Sequence, residues 1–426
     1  MPSMPAGVVF DDTAIALNND LTVGAANVAV KKTWLFWLAM AFLFLPGLVH
    51  VYLLMPFPGS QNLEAIKLCY YLERIVWPLR IVGIIAIIAY AFYFLAETRL
   101  KKFLFPVVLL AGAATFYVTD IQFKAEEMFK EPAAPSFANI FANKVPQNYL
   151  VVGVVHNGVA KAYPIVYLGY HHKIQDEIGG MPVMVTYCTM CRTGRVFSPI
   201  VSGKRETFRL VGARHYNAVI EDESTHTWWY QATGEAAVGS RAGEKLTEIP
   251  YQQATLAAWL ERYPRSLVLQ PESQFKGDYA DLKKYDITQP LDKDSTILNK
   301  DTLVRKSWVV GINLNGQAKA YDWRQLVKAK LFNDVVGKTP LLVTINNDKQ
   351  TFQAWKAMVD GKQLHFKAAG TDQLADMETN STWDKTGLCI AGANKGKQLT
   401  SVQAYQEYWH SWKNFHPKTT YTAEFL

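Results

Sequence analysis

Apolar residues in the first third of the chain form three long, almost uncharged runs. The runs cover residues 33–55, about 75–96 and about 103–119. A helix of roughly 20 apolar residues is long enough to span a bilayer, and aromatic residues at the ends of such runs are typical of membrane interfaces. Buried core helices are the alternative interpretation, but three near-consecutive runs favour membrane insertion. The pattern therefore predicts a three-helix membrane anchor at residues 33–119.

Basic residues beside the runs predict how the helices cross the membrane. Cytoplasmic flanks of membrane helices carry an excess of Lys and Arg. With three crossings, Lys67 and Arg74 fall on one side of the membrane. The side that contains the N-terminus has more basic residues, namely Lys31, Lys32, Arg99, Lys101 and Lys102. Residues 1–32 are therefore predicted to be cytoplasmic, and the first run lies too deep in the chain for a cleaved signal peptide. The prediction is a multi-pass protein of the cytoplasmic (inner) membrane, with everything after about residue 120 in the periplasm or outside.

Beyond the anchor, the hydrophobic pattern changes to short alternating runs that are typical of β-strands. Residues 151–163 read VVGVVHNGVAKAY, and residues 309–321 read VVGINLNGQAKAY. In both, apolar alternation leads into Asn-Gly and out again, which predicts a β-hairpin with a type I′ turn. The similarity continues as far as Thr186 and Thr344, and this predicts an internal repeat. The expected fold is three N-terminal transmembrane helices followed by a β-rich α+β exported module made of two homologous repeats.

Composition within the exported part predicts where each repeat begins and ends. A polar segment that contains Pro and Ala follows the anchor, and a stretch rich in Asp, Lys and Gln separates the two similar regions. The predicted parts are a juxtamembrane connection at residues 120–147, a first repeat at 148–269, a linker at 270–305 and a second repeat at 306–426.

Comparison of the two predicted repeats separates residues that both contain from residues that only one contains. Residues kept in both copies are expected to serve the shared fold, whereas residues found in one copy are candidates for a functional site. Trp229 pairs with Trp383, and Asp176 pairs with Asp334. We therefore interpret the tryptophans as core residues and the aspartates as turn or capping residues.

A small group of reactive residues is present in the first copy alone. Cys188 aligns with Asn346, and the CTMC segment has no counterpart in the second copy. The residues His171 and His172 align with Ala329 and Lys330. The candidates for a functional site are therefore Cys188, Cys191, His171, His172 and the intervening Met190.

The Cys-x-x-Cys pair lies between two strand-like segments. Gly194, two β-branched residues and Pro199 follow it, so a helix is not expected there, and the pair is predicted to form a knuckle at a strand turn. Three interpretations follow from this position. A metal site would combine Cys188, Cys191 and a histidine, and the soft thioether of Met190 favours copper over zinc. A thiol-disulfide redox centre, with Cys188 and Cys191 as the redox residues, is the second.

The third interpretation is a structural disulfide in a non-catalytic envelope binding or structural module. It would close so short a loop that the entropic stabilisation would be small. The residues alone leave open which of the three applies, and whether the protein is an enzyme.

Overall composition excludes several other function classes. Four cysteines are too few for a disulfide scaffold. The net charge of +7 is spread along the chain without a basic stripe, so nucleic acid is not an expected partner. The sequence contains no phosphate loop, dinucleotide fingerprint or Ser-His-Asp signature, so no nucleotide cofactor is expected. The predicted partners are the lipid bilayer and an envelope protein.

The string AYPIVYLGYHHKIQDEIGGMPVMVTYCTMCRTGRVF resembles the signature of a prokaryotic family called domain of unknown function 3179. The resemblance covers about residues 145–420, and it implies that His171 is the family histidine and that Cys188 and Cys191 are the family cysteine pair. His172 stands where glutamate is usual, and Met190 stands where leucine is usual. The resemblance implies the extent of the module and the importance of these residues, but it implies no reaction.

Overall fold

The computed structural model describes residues 34–94, 99–132, 134–282, 303 and 305–422. The chain forms two compact units. Among the described residues, one unit comprises those up to Leu53 together with those of Lys67–Phe123, and the other comprises Leu54–Ile66 together with those from Lys124 onward. The predicted cytoplasmic segment 1–32 lies outside the described residues, and so does much of the predicted linker 270–305.

The first unit is helical. Its helices are Trp34–Leu54, Ile66–Phe94 and Arg99–Tyr117, and the π-helical turn Val118–Gln122 follows them. Among the described residues, Trp34–Leu54 alone forms a helix that is long and apolar enough to cross a membrane, judged by length and composition. A shorter apolar helix covers Pro106–Gln122. An N-terminal apolar helix is therefore confirmed, while this criterion supports one of the three predicted spans.

The second unit is rich in β-strands, as predicted, and its strands are numbered in chain order. The strands before residue 282 are β1 (Phe137–Ala138), β2 (Leu150–His156), β3 (Val159–Pro164), β4 (Lys173–Ile178), β5 (Met181–Cys188), β6 (Thr193–Phe197), β7 (Ile200–Val201), β8 (Lys204–Arg205), β9 (Phe208–Arg214), β10 (Asn217–Asp222), β11 (Trp228–Tyr230), β12 (Ala236–Val238), β13 (Gln252–Thr255) and β14 (Leu267–Leu269).

The strands after residue 305 are β15 (Trp308–Leu314), β16 (Gln317–Asp322), β17 (Leu331–Val336), β18 (Thr339–Ile345), β19 (Phe352–Lys356), β20 (Met358–Val359), β21 (Lys362–Gln363), β22 (Phe366–Ala368), β23 (Gln373–Asp376), β24 (Thr382–Asp384), β25 (Cys389–Ala391), β26 (Ser401–Val402), β27 (Tyr405–Tyr408) and β28 (Thr420–Tyr421).

Short helices connect these strands. Two of them follow β13 and β27, and we call them the first closing helix (Leu256–Arg262) and the second closing helix (Trp409–Phe415). The others are Ala125–Met128, Ile165–His171, Lys276–Leu282 and Trp323–Ala329, with a 3₁₀ turn at Ser60–Asn62 and another at Ser273–Phe275.

The strands form several small sheets rather than one large one. Before residue 282 the sheet orders are β1-β14-β3-β2-β13, β4-β5-β6 and β12-β11-β10-β9. After residue 305 they are β27-β15-β16-β28, β17-β18-β19-β26 and β22-β23-β24-β25. The two-stranded pairs β7-β8 and β20-β21 complete the described sheets. Most of these pairings are antiparallel, which fits the short connections between neighbouring strands.

The two Asn-Gly sequences form hairpins with the same register. In the first, Val151 pairs with Pro164 and His156 with Val159. In the second, the strands β15 and β16 likewise pair over six positions, from Val309 with Asp322 onward. In both turns the Asn and the Gly have positive φ, the conformation that a type I′ turn requires.

Two tryptophans are core residues, as predicted. Trp229 and Trp383 are fully buried. The indole nitrogen of Trp229 donates to Oδ2 of Asp222 at 2.9 Å, and that of Trp383 donates to Oδ2 of Asp376 at the same distance. Each buried carboxylate thereby satisfies a buried indole N–H, which would otherwise carry a desolvation penalty.

The prediction for Asp176 and Asp334 is corrected. Asp176 forms an ion pair of 2.8 Å with Lys161, and Asp334 forms one of 2.6 Å with Lys319. Each carboxylate also accepts a hydrogen bond from the tyrosine two positions after that lysine. Each aspartate therefore links strands of two different sheets, β3 with β4 and β16 with β17, rather than capping a turn.

Two segments near predicted boundaries pack against the first half of the β-rich unit. Phe275 and Tyr279, which fall within the predicted linker 270–305, are buried in the core that contains β2 and β3. Within the predicted juxtamembrane connection 120–147, β1 pairs with β14, with Phe137 opposite Leu269. Both segments looked polar in the sequence, but a few aromatic residues within them are enough to join the core.

Candidate functional site

Cys188 and Cys191 lie at a strand turn, as the sequence pattern predicts. Cys188 is the last residue of β5, and its partner across the ladder is Thr193, the first residue of β6. The intervening turn includes Cys191, and Arg192 has a φ of 56°. We call residues 188–193 the cysteine turn. Both of its thiols are free and fully buried.

Cys191 receives a hydrogen bond from a neighbouring amide. The Nδ2 atom of Asn217 lies 3.0 Å from the sulfur of Cys191 and 3.0 Å from Oε1 of Gln231. The Oδ1 atom of Asn217 accepts a hydrogen bond of 2.8 Å from the backbone N–H of Ala232. Because the carbonyl end is held by Ala232, the amide can point only its NH₂ group at the sulfur.

The two thiols differ in acidity. Burial raises the pKa of Cys188, but hydrogen bonds from the thiol and backbone of Cys191 and from two further backbone groups outweigh it, so the pKa of Cys188 is lowered. The pKa of Cys191 is raised well above its usual value by burial, by its hydrogen bond to Cys188 and by the negative charges of Cys188 and Glu407. The first proton to leave the pair therefore leaves Cys188.

Residues from the chain after 305 complete the surroundings of the cysteine turn. The backbone N–H of Tyr408 donates to the carbonyl of Cys191 at 2.9 Å. Glu407, the residue before it, is fully buried and forms an ion pair of 3.1 Å with Arg195 of β6. Its other carboxylate oxygen accepts from the hydroxyl of Ser411 at 2.6 Å. Burial raises the pKa of Glu407, although Arg195 and Ser411 oppose that effect.

The histidines predicted as metal ligands have other partners. The Nδ1 atom of His171 hydrogen-bonds to the carbonyl of Lys130, and its Nε2 atom lies 2.7 Å from the hydroxyl of Tyr279. The Nδ1 atom of His172 lies 3.2 Å from the carbonyl of Tyr170, and the pKa of His172 falls to about 4 because the ring is buried. Both nitrogens of His171 and one of His172 are thus used by the protein itself.

The predicted metal-ligand set is therefore not assembled. Among the residues that the structure describes, no group of three or more His, Cys, Asp or Glu side chains is arranged to hold a metal ion. The structure brings Cys188 and Cys191 together with the half-buried Met190 on one turn. It does not bring the imidazoles of His171 and His172 into that donor set.

Sequence reasoning missed Glu407, although a signal was present. Aligning Trp259 with Trp412 places Glu407 opposite Ala254. The test that identified the cysteines, presence in one copy alone, would also have identified this carboxylate if it had been applied to the second copy.

Taken together, the fold and site define a class: a module of small antiparallel sheets that carries a buried Cys-x-x-Cys pair. The chain belongs to the family described as protein of unknown function DUF3179, whose model matches residues 132–419. The resemblance seen in the sequence is thereby confirmed over both halves of the β-rich unit. Neither a curated protein nor a solved structure matches the chain.

Proposed function

We propose that this protein is a membrane-anchored thiol redox protein of the cell envelope, in which Cys188 and Cys191 cycle between a dithiol and a disulfide. The geometry of the cysteine turn carries this proposal: two free thiols lie three residues apart on one strand turn, and the sulfur of Cys191 lies 3.6 Å from the carbonyl of Cys188. The directions of the two pKa shifts agree with it. A lowered pKa makes Cys188 the attacking thiolate, and a raised pKa keeps Cys191 protonated until the second step.

The exchange has two steps. The thiolate of Cys188 attacks one sulfur of a partner's disulfide, so a mixed disulfide forms and the partner's other sulfur leaves as a thiolate. Cys191 then gives up its proton to that leaving sulfur and attacks the sulfur of Cys188. The bond between Cys188 and Cys191 forms and the mixed disulfide breaks. The partner sulfur that Cys188 had attacked is released as a thiolate and takes a proton from water. The module loses two electrons and the partner gains two.

The burial of the two thiols restricts which disulfide-bearing molecules can react with them. Both sulfurs are fully buried, whereas Thr189 and Met190 between them are only half-buried. A disulfide must therefore approach from the side of Thr189 and Met190, and this part of the turn must move before the sulfurs can meet. We infer that the partner is a disulfide-bearing envelope protein whose docking displaces these two side chains.

We also propose that all three predicted helices cross the membrane, with the N-terminus inside and the β-rich unit outside the cytoplasm. Large apolar side chains are exposed around the second and third helices as well as the first. Examples are Ile81, Ile85, Phe103 and Leu110. Water would oppose such extensive apolar exposure, and lipid would accept it. An exported dithiol would then lie in an oxidising compartment, where cycling is possible.

We further propose that the β-rich unit arose by duplication, with the second copy as a scaffold that completes the site. Three observations support this proposal. The two Asn-Gly hairpins have the same register. Each of the two buried tryptophans donates to an aspartate carboxylate. Each of the two aspartates in the first strand after a hairpin forms an ion pair with a lysine of that hairpin. The contribution of Glu407 explains why the cysteine-free copy is retained.

A copper(I) site is the second candidate function. Two thiol sulfurs and the Met190 thioether on one turn are the soft donors that copper(I) prefers. Zinc fits less well, because a closed zinc site needs four ligands and the two histidines have other partners. This candidate requires no histidine, and metal content distinguishes it from the redox proposal.

The deciding experiment uses the full-length protein in detergent, equilibrated with glutathione buffers of about −300 to −120 mV. Alkylation and mass spectrometry would count the free thiols at each potential, and elemental analysis would measure bound metal on the same sample. We expect one two-electron transition, which disappears in Cys188→Ser and is unchanged in Cys389→Ser, since Cys389 is a buried thiol outside the cysteine turn.

Other outcomes would contradict the proposal. About one equivalent of copper that disappears in Cys188→Ser would establish the second candidate instead. A pair that remains a disulfide, or remains a dithiol, at every potential would leave a structural role for the two cysteines.

A further inference from the structure

A polar cavity of about 400 Å³ lies beside the turn that follows β18. Its walls come from the first closing helix, which supplies Glu261 and Arg262, and from the chain after residue 345. We propose that this cavity binds a small zwitterionic molecule, of the class of free amino acids and short peptides. The proposal is independent of the thiol redox function.

The cavity occupies the place in the second half that the cysteine turn occupies in the first. Asn346, which aligns with Cys188, lines it. The turn after β18 contacts Thr255, the residue before the first closing helix, through a hydrogen bond of 3.1 Å from the Thr255 N–H to Oγ1 of Thr351. Similarly, the cysteine turn contacts Tyr408, the residue before the second closing helix. Each half therefore places this turn against the closing helix of the other half.

The lining of the cavity requires a polar ligand. Ala258 is the one lining residue without a polar side-chain group, and the lining contains no aromatic ring. Side-chain amides, which both donate and accept hydrogen bonds, come from Gln252, Asn346, Gln353 and Gln373. The Oε1 atom of Gln353 is buried and has no hydrogen-bond partner among the described residues. A buried acceptor of this kind is normally satisfied, so a ligand donor would remove its desolvation cost.

The charges in the cavity indicate which ionic groups the ligand carries. Glu261 and Lys385 pair at 2.6 Å and neutralise each other. Arg262 forms no ion pair within the part of the chain that the structure describes, although it lies 5.5 Å from the Tyr263 ring. Its guanidinium is therefore available for a carboxylate, with which it can form two parallel hydrogen bonds.

The carboxylate of Asp372, which also lines the cavity, is placed to bind an ammonium group. The Oδ1 atom of Asp372 accepts a hydrogen bond of 2.9 Å from the N–H of Asn347, and this leaves Oδ2 for a ligand. Asp384 also lines the cavity, and its Oδ1 atom accepts hydrogen bonds from the backbone N–H groups of Thr386 and Leu388. With Glu261 and Lys385 paired, the cavity offers one cation, two carboxylates and several amides, which matches a molecule with a carboxylate at one end and an ammonium at the other. Its volume lies within the usual range for small-molecule sites, about 300 to 1,000 Å³.

The test measures binding of alanyl-alanine to the full-length protein in detergent by titration calorimetry. The comparison probes are the same dipeptide with both ends blocked, which has no charges, and maltose, which has hydroxyls but no charges. We expect measurable binding of the free dipeptide alone, weakened about tenfold or more by Arg262→Gln, because a charge-assisted bidentate contact is lost. Asp372→Asn should weaken it as well, and asparagine tolerates the left-handed backbone at that position, where φ is 53°.

Arg265→Gln is the matched control, because Arg265 is exposed, follows the same closing helix and does not line the cavity. It should leave the affinity unchanged, and so should a double Cys188→Ser, Cys191→Ser variant. The proposal is overturned if the free dipeptide does not bind. It is equally overturned if the blocked dipeptide or maltose binds as well as the free dipeptide, or if Arg265→Gln weakens binding as much as Arg262→Gln does.

Discussion

The side-chain amide of Asn217 donates a hydrogen bond to the sulfur of Cys191 over a distance of 3.0 Å. This contact opposes the other influences on Cys191, because it is the one that favours the thiolate while burial and nearby negative charge disfavour it. In the proposed exchange, Cys191 must lose its proton in the second step. Asn217 is therefore placed to assist closure of the disulfide rather than the first attack.

Replacing Asn217 with leucine should separate the two steps. The variant keeps the volume but removes the donor, so the pKa of Cys191 rises further and the mixed disulfide with a small disulfide such as oxidised glutathione should accumulate. The initial attack by Cys188 should be little changed. Mass spectrometry of samples quenched with acid would measure the mixed disulfide over time.

Gln231→Met is the control for this variant, because it disturbs the same buried amide group without removing the contact to the sulfur. If Gln231→Met accumulates the mixed disulfide to the same extent, the effect comes from loss of packing and not from the hydrogen bond of Asn217.

The two cysteines should react with an alkylating agent at different pH values. The thiolate is the reactive form, so Cys188, with its lowered pKa, should be modified at a lower pH than Cys191. Because both sulfurs are buried, both should react much more slowly in the native protein than in urea. Peptide mass spectrometry after timed exposure to iodoacetamide would measure the rate at each site. Equal pH profiles for the two residues in the native protein would contradict the assignment of Cys188 as the nucleophile.

Local pattern was enough to place the cysteine turn. Gly194, the β-branched residues and Pro199 disfavour a helix after the pair, and the alternating run before it predicts a strand, so a strand turn was the expected result. The same reasoning predicted both Asn-Gly hairpins. These features depend on residues close together in the sequence.

The histidines show where such reasoning stops. The orientation of His171 depends on Tyr279, 108 residues later, and on Lys130, 41 residues earlier. Tyr279 lies in a segment that looked like a polar linker. Local sequence pattern carries no information about contacts between residues so far apart in the chain. The closeness of His171 to the cysteines in the sequence therefore did not predict the direction of its imidazole ring.

Loss of the Glu407 charge should destabilise the β-rich unit. Glu407 and Arg195 are both almost fully buried, so Glu407→Gln leaves a buried guanidinium without its counter-ion. Removing one partner of a buried pair typically costs about 3 to 5 kcal/mol. We expect a large drop in the midpoint of thermal unfolding, recovered at least in part by replacing both residues with apolar ones in the double variant Arg195→Met, Glu407→Leu.

The comparison for this variant is Glu244→Gln, which breaks a more exposed pair between Arg241 and Glu244 at 3.1 Å. Exposed pairs are worth about 1 kcal/mol or less, so this variant should unfold at nearly the same temperature as the native protein. A Glu407→Gln variant that is equally unaffected would show that the buried pair contributes nothing to stability.

Acid should destabilise the protein in a range set partly by His172. Burial lowers the pKa of His172 from 6.5 to about 4, so the folded state keeps the ring neutral while the unfolded state takes up a proton. A group whose folded pKa is depressed stabilises the protein above the unfolded pKa, and that stabilisation is lost as the pH falls from 6.5 towards 4. The shift corresponds to a loss on the order of 3 kcal/mol.

His172→Asn should reduce this dependence on pH. His172 has a positive φ of 59°, which asparagine tolerates better than most residues. The slope of the unfolding midpoint against pH between 6.5 and 4 should fall without reaching zero, because burial also lowers the pKa of His410 and of His416 to about 4. Thermal unfolding of the two proteins across this range would measure the slopes. An unchanged slope in the variant would mean that His172 takes up its proton at the same pH in the folded and the unfolded states, and the ring could not then be buried as the structure has it.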